Sequence, residues 1–195
     1  MARVLEDLGL KTAHEHRRWN EKGIEGRVSG LHWDLEENKK FSPLIHQVRH
    51  PLSWLNSHAR KNGVHWNKGM YSIRHYKPLA PFIERDGIDP HVPDVKLLMV
   101  WLRGNQLIEN YMNPEWRFRV EEIHGNTKSL RKLCEILKPP EVPIPGEDLR
   151  FFCEKSEGAG DAEPWHRRFY WPRHEKYQEQ IDLVKAKAKE YGYQF

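Results

Sequence analysis

The chain has 195 residues, 38% of them hydrophobic and 31% charged, with 8 Trp, 7 Tyr and 7 Phe. That suits one domain and excludes a disordered chain, because the aromatic rings supply large apolar surfaces to bury; no run approaches the roughly 18 apolar residues of a membrane helix. A net charge of +4 favours an anionic partner, and a small ligand, RNA or a merely solvated surface all satisfy it.

Val4, Leu5 and Leu8 share one helical face, with Gly9 where a helix stops. Lys11 to His14 reads as a short strand. Gly23, Gly26 and Gly30 make the next stretch loop-like, with room for a helical turn between Val28 and Leu35. PLIHQVRHP is a β-prone run closed by Pro51, and Ser53 to Arg60 continues as a helix that stops near Asn62-Gly63. Residues 61–91 are rich in Gly, Pro and aromatics, a long irregular excursion of the kind that carries substrate contacts. Pro93 and Asp94 then start the clearest helix, with Val95, Leu98, Leu102, Asn105 and Ile108 at three- and four-residue steps. Trp116, Phe118 and Val120 alternate with Arg117, Arg119 and Glu121, the period of a half-buried strand.

Asn126 is placed to cap a helix carrying Leu130, Leu133 and Leu137 that ends at Pro139-Pro140. Residues 138–171 read as loop. A last helix over 172–191 carries Tyr177, Ile181, Val184, Ala188 and Tyr191, and Gly192 is its stop. Helices alternate with short strands and no hairpin signal joins neighbouring strands. This order predicts one α/β domain over residues 1–195, built on a central parallel sheet flanked by helices.

Pro43 to Arg60 carries the chemistry. A parallel strand ending at Val48 brings Arg49 to the carboxyl edge of the sheet, where ligands of open α/β sheets bind. Pro51 keeps the strand from continuing. Arg49 offers a planar fork of donors to a phosphate, Ser57 adds a hydroxyl, and the helix start adds a positive end. The alternative is an Arg49 in a surface ion pair and a Ser57 facing solvent.

VRHPLSWLNS, Val48 to Ser57, resembles the 3′-phosphate-binding motif of the sulfotransferase family: valine, arginine, aspartate, proline and, eight residues after the arginine, a serine. LEDLGLKTAHE is similar to the helix and second strand that follow the nucleotide loop in bacterial members. WLRGNQLIE followed by WRFRVEEI is similar to the family's long helix and next strand. EKSEGAGDAEPW resembles the late loop in which a lysine and glycines close over the 3′-phosphate. In order, these pieces cover most of the chain.

The resemblance implies a three-layer, P-loop-type α/β fold. It implies transfer of a sulfuryl group from 3′-phosphoadenosine 5′-phosphosulfate (PAPS), as co-substrate and without a metal, to a hydroxyl or amine of a small-molecule or carbohydrate acceptor. Arg49, Ser57 and Lys155 become the nucleotide ligands and Glu15 the base that takes the acceptor's proton, with His14 and Asp34 in reserve. A Glu15 paired with Arg17 or Arg18 is the alternative. The sequence departs from the family at His50, where aspartate is usual; the phosphate ligands stay, and the chemistry of the turn changes. The family's opening glycine- and serine-rich loop, which holds the 5′-phosphosulfate, has no counterpart here, since Met1 falls about where the following helix begins. The expectation is an N-terminally truncated member, or a remnant, in which binding outlasts turnover.

Other features weigh less. The HEH at His14 to His16 lacks the spacing of a helical zinc motif, and 12 histidines make such proximity ordinary. WHRRFYWPRH, Trp165 to His174, mixes basic and aromatic residues as single-strand nucleic-acid binders do. It equally suits a cover for nucleotide or acceptor, or aromatics in a core and arginines outside, so a non-catalytic anion- or nucleic-acid-binding module over 165–174 is the competing expectation. Glu121-Glu122 reads as a solvated strand end, with a pair of site carboxylates as the alternative. Two cysteines, Cys134 and Cys153, without a CxxC fit free thiols in a reducing cytoplasm, and Glu6 and Asp7 interrupt the start as a signal peptide does not.

Overall fold

Parallel pairing, the feature expected from the order of elements, governs every strand that the computed structural model describes. It describes residues 5, 10, 12–14, 26–28, 43–55, 80–89, 92–123, 127–138 and 170–195. These build a mixed α/β structure in which helices predominate, with two separate two-stranded parallel sheets. They belong to two compact units: residues 1–48 with 111–162, and residues 49–110 with 163–195.

In the first unit, β1 (Thr12–His14) pairs with β2 (Gly26–Val28), Thr12 opposite Gly26 and His14 opposite Val28. The strand at β1 was legible, whereas its partner was expected as loop. Three residues beside glycines carry no readable period, and only a distant strand selects them. β3 (His46–Val48) pairs with β4 (Arg117–Arg119) in a register that sets Gln47 opposite Phe118. β3 alternates, with His46 and Val48 buried and Gln47 exposed, and β4 buries Phe118 between half-buried arginines. The predicted alternation stops one residue early: Val120 opens α3 (Val120–Ile123) instead of continuing the strand. Glu121 and Glu122 therefore lie in a helical turn, not at a strand end, and Glu122 takes an ion pair from the Arg119 guanidinium one turn back.

α4 (Thr127–Leu137) supplies most of this unit's core. Leu130, Leu133 and Cys134 close on Leu5 and Phe118, and Leu10, Ile45, Ile136 and Leu137 pack around them. Burying a leucine side chain fully contributes about 2 kcal/mol, so Leu130 and Leu133 alone account for much of the helix's docking. The helix stops as predicted. Lys138 N–H donates to the Cys134 carbonyl at 2.8 Å, and Lys138 itself leaves the helix at φ 47°, ahead of Pro139.

The second unit is built on α2 (Pro93–Glu109), with Pro93 in its first turn and Asp94 beside the helix's positive end. The sequence suggested one apolar stripe. The structure buries Val95 and the whole run from Leu97 to Leu102, the pattern of a helix covered on all sides. Asn105 is the polar residue on that stripe, and its buried amide nitrogen donates to the Trp101 carbonyl at 2.7 Å. α1 (Ala80–Arg85) lies inside the stretch expected to be irregular; composition rich in Gly and Pro hid a helix that is held from outside. Arg103 of α2 grips Asp86, just past its end, with two nitrogens at 3.0 and 2.5 Å.

α5 (Gln178–Glu190), preceded by a 3₁₀ turn over Glu175–Tyr177, packs on α2 through Ile181, Val184 and Ala188. It starts later than the predicted residue 172, because the chain is still extended at His174, φ −132°, before the 3₁₀ turn. Its end is as expected. Gly192 sits at φ 84°, its N–H donates to the Lys189 carbonyl at 2.8 Å, and Tyr193 N–H donates to the Ala188 carbonyl at 3.1 Å. That is the Schellman arrangement, and its accompanying apolar contact is buried Tyr193 over Ala188. The exit matters because it directs the next residues onto the candidate site. Among the described residues, no helix is long and apolar enough to cross a membrane.

Candidate functional site

The chain leaves β3 at Val48 and makes its turn with Arg49 and His50 before helical residues 51–55. Pro51 occupies the first helical position, where its missing N–H costs nothing. Trp54 N–H donates to the His50 carbonyl at 2.9 Å, which makes His50 the N-cap. Its side chain does what a cap must: Nδ1 accepts from the Leu52 N–H at 3.2 Å. An aspartate at this place would offer a carboxylate oxygen to the same amide. The imidazole thus supplies the same capping bond. An acceptor at Nδ1 fixes the neutral ring as the tautomer that carries its proton on Nε2.

His50 is only 5% exposed. The Schellman exit of α5 brings Tyr193 edge-on to the imidazole, with centroids 5.0 Å apart, and Phe195 does the same at 5.5 Å. From α2, the Trp101 indole donates through Nε1 to the Arg49 carbonyl at 2.9 Å, and the same ring meets Tyr191 edge-on at 5.8 Å. The backbone of the turn is therefore pinned at Arg49 by an indole and at His50 by its own cap. Arg49 is half-buried, and no carboxylate among the described residues pairs with it.

The other residues singled out from the sequence are not brought to this turn by anything described. Ser57, Lys155, Glu15 and Asp34 lie outside the described residues, and His14 is described only as the last position of β1. Of the segment 165–174, residues 170–174 are described. Tyr170 is 90% exposed, and Arg173 is exposed beside it. Trp171 is not free: Phe195 meets it edge-on at 5.0 Å and the Lys185 ammonium lies 5.5 Å from its centroid. His174 Nε2 sits 3.1 Å from Asp94 Oδ2, which ties the segment to the start of α2. These residues, with Gln178 and Lys185, line an open concavity. Next to it, the hydrogen bond from Lys185, joined by one from Gln178, holds the exposed Asp182 carboxyl below the usual carboxylate range. Among the described residues, no group of three or more His, Cys, Asp or Glu side chains comes together as a metal site would need.

The sequence does not point directly to four participants: the cap at His50, the indole at Trp101 and the rings at Tyr193 and Phe195. Only the first left a signal, because a proline at a helix's first position requires a cap at the residue before it. No family model, curated protein or solved structure matches this chain.

Proposed function

We propose that the chain is a sulfotransferase-like protein that binds PAPS, or its product 3′-phosphoadenosine 5′-phosphate, with the 3′-phosphate on Arg49, Ser57 and Lys155. One observation carries this reading. Arg49, in the turn between a parallel strand and a proline-started helix, presents a guanidinium without a carboxylate partner among the described residues, on a backbone fixed by Trp101 and His50. A guanidinium in that state is a bidentate donor available to a phosphate. The proposal includes the three-layer arrangement, with β3 and β4 as neighbouring strands of a central parallel sheet, and Glu15 as the base for an acceptor hydroxyl or amine. Transfer also needs a grip on the 5′-phosphosulfate, and no Gly-Ser-Thr loop within these 195 residues supplies one. Nucleotide binding is thus the activity proposed for the chain as it stands.

Thermal-shift titration with 3′-phosphoadenosine 5′-phosphate tests it. The nucleotide should raise Tm in a saturable way, by mass action on the folded state, and Arg49→Ala should remove the shift. A wild-type Tm indifferent to saturating nucleotide sinks the proposal.

A second reading rests on a different observation, the solvent-facing Tyr170 ring beside the exposed Arg173. A ring for stacking next to a cation is the unit from which single-strand nucleic-acid sites are built. Here the chain would be a non-catalytic binder of single-stranded nucleic acid through residues 165–174. RNA binding that weakens steeply with salt, together with no response to the nucleotide, favours it.

A further inference from the structure

We infer that His50 is a positioning residue for the nucleotide grip: its Nδ1, by capping the helix that follows Pro51, sets the backbone from which the Arg49 guanidinium reaches the phosphate. The inference rests on the function proposed above and adds to it a residue that does not touch the ligand. Two neighbouring constraints act on this turn. The Arg49 carbonyl is held by the Trp101 indole at 2.9 Å, which fixes one face of the 49–50 peptide. The Leu52 amide is held by Nδ1 at 3.2 Å, which fixes the other side of the turn relative to the helix. Without the second constraint the helix start frays. An orphaned amide must then find water in a place where His50 is almost wholly enclosed. Arg49, one residue upstream, inherits that freedom, and a bidentate contact tolerates little of it.

Tyr193 and Phe195 make this a positional device and not a chance contact. Both make T-shaped contacts with the imidazole, at interplanar angles of 82° and 68°, and so hold its plane. The plane decides whether the Nδ1 lone pair points at the Leu52 amide. A carboxylate cap needs no such support, because either oxygen serves. An imidazole has a single acceptor nitrogen in its neutral form and must be oriented. A histidine cap at this position is therefore tied to the aromatic residues that follow α5.

The test compares two substitutions by calorimetric titration with 3′-phosphoadenosine 5′-phosphate. His50→Leu fills the space and keeps apolar contact with Tyr193 but has no acceptor. His50→Asn is smaller and restores an acceptor of the kind preferred at N-caps. The leucine variant should bind about fivefold more weakly, the size of an ordinary cap loss expressed as an equilibrium constant. The asparagine variant should stay within about twofold of wild type, because its acceptor meets the same amide. Leucine binding as tightly as wild type overturns the inference and leaves the proposed function standing. Wild type failing to bind overturns both. If the leucine variant does not fold, His50→Asn decides alone: an affinity within twofold supports the positioning role. A drop of tenfold or more, beyond any ordinary cap effect, overturns it.

Discussion

Trp101→Phe is the sharpest probe of the turn's support. Trp101 is 3% exposed, donates to the Arg49 carbonyl and packs edge-on with Tyr191. Phenylalanine keeps an aromatic ring in the core and removes the donor and part of the volume. Leaving a part-buried carbonyl without its donor costs about 1–2 kcal/mol, and the reduction in ring size adds about 1 kcal/mol of lost packing. The sum, about 2–3 kcal/mol, corresponds to a fall in Tm of about 5–10 °C for a chain of this length. Urea unfolding followed by far-ultraviolet circular dichroism reads it as a lower midpoint at unchanged slope, which separates a loss of stability from a change in compactness. Tyr191→Leu is the control, since it removes the ring contact and spares the indole hydrogen bond; it should cost less than Trp101→Phe. A Trp101→Phe variant within about 0.5 kcal/mol of wild type, the range of an inconsequential surface change, would show that the indole does not hold the turn.

Two further outcomes follow from titratable groups. Burial, reinforced by the charge of neighbouring Glu135, pushes the Cys134 thiol above its ordinary value, so it stays protonated and enclosed. In a Cys153→Ser background, an aromatic disulfide reagent should label it at least about 100-fold more slowly in the native protein than in urea, and equal rates would refute its burial. Lys187 lies between Glu109 and Glu190, at 2.7 Å from each. Burial alone would lower its pKa, but hydrogen bonds to Glu109 and then Glu190 outweigh that and raise it. A raised value in the folded state means that the ammonium's stabilising contribution is complete below the ordinary lysine value of about 10.4 and is lost as pH climbs through the raised one. Urea midpoints measured from about pH 9 to about pH 12 should fall more steeply for wild type than for Lys187→Met. Parallel profiles would exclude the link between Lys187 and Glu109 as a source of stability.

What the sequence made legible were the elements with local causes. Val95, Leu98 and Leu102 announce α2, Leu130 and Leu133 announce α4, and Gly192 announces the end of α5, because periodicity and a left-handed stop are written within a few residues. Elements with distant causes were not legible. β2 exists through its pairing with β1, and α1 is fastened at its end by Arg103 of another helix. Val120 satisfies a strand pattern equally well, yet it begins a helical turn that Glu122 and Arg119 close. At the candidate site, Arg49 and the turn before Pro51 could be read directly. The indole that holds Arg49 could not, since Trp101 looks like any other apolar residue on a core helix and its partner is a backbone carbonyl far upstream. His50 looked like a defect in a motif. The structure shows it as the cap of the residues after Pro51, in contact with Tyr193 and Phe195.

The Schellman exit of α5 also sets an order of events during synthesis. Arg49 and His50 leave the ribosome early, whereas the rings that orient the imidazole come from residues translated much later. The helical residues after Pro51 can form locally at once, but their cap is held in place only after α5 has docked on α2 and turned at Gly192. Contacts between segments so far apart in the chain form late, after the entropy of closing a long loop has been met. A nascent chain interrupted before α5 would thus carry Arg49 on an unfastened turn, and the turn is held from both sides only in molecules whose downstream helix has been made and has folded.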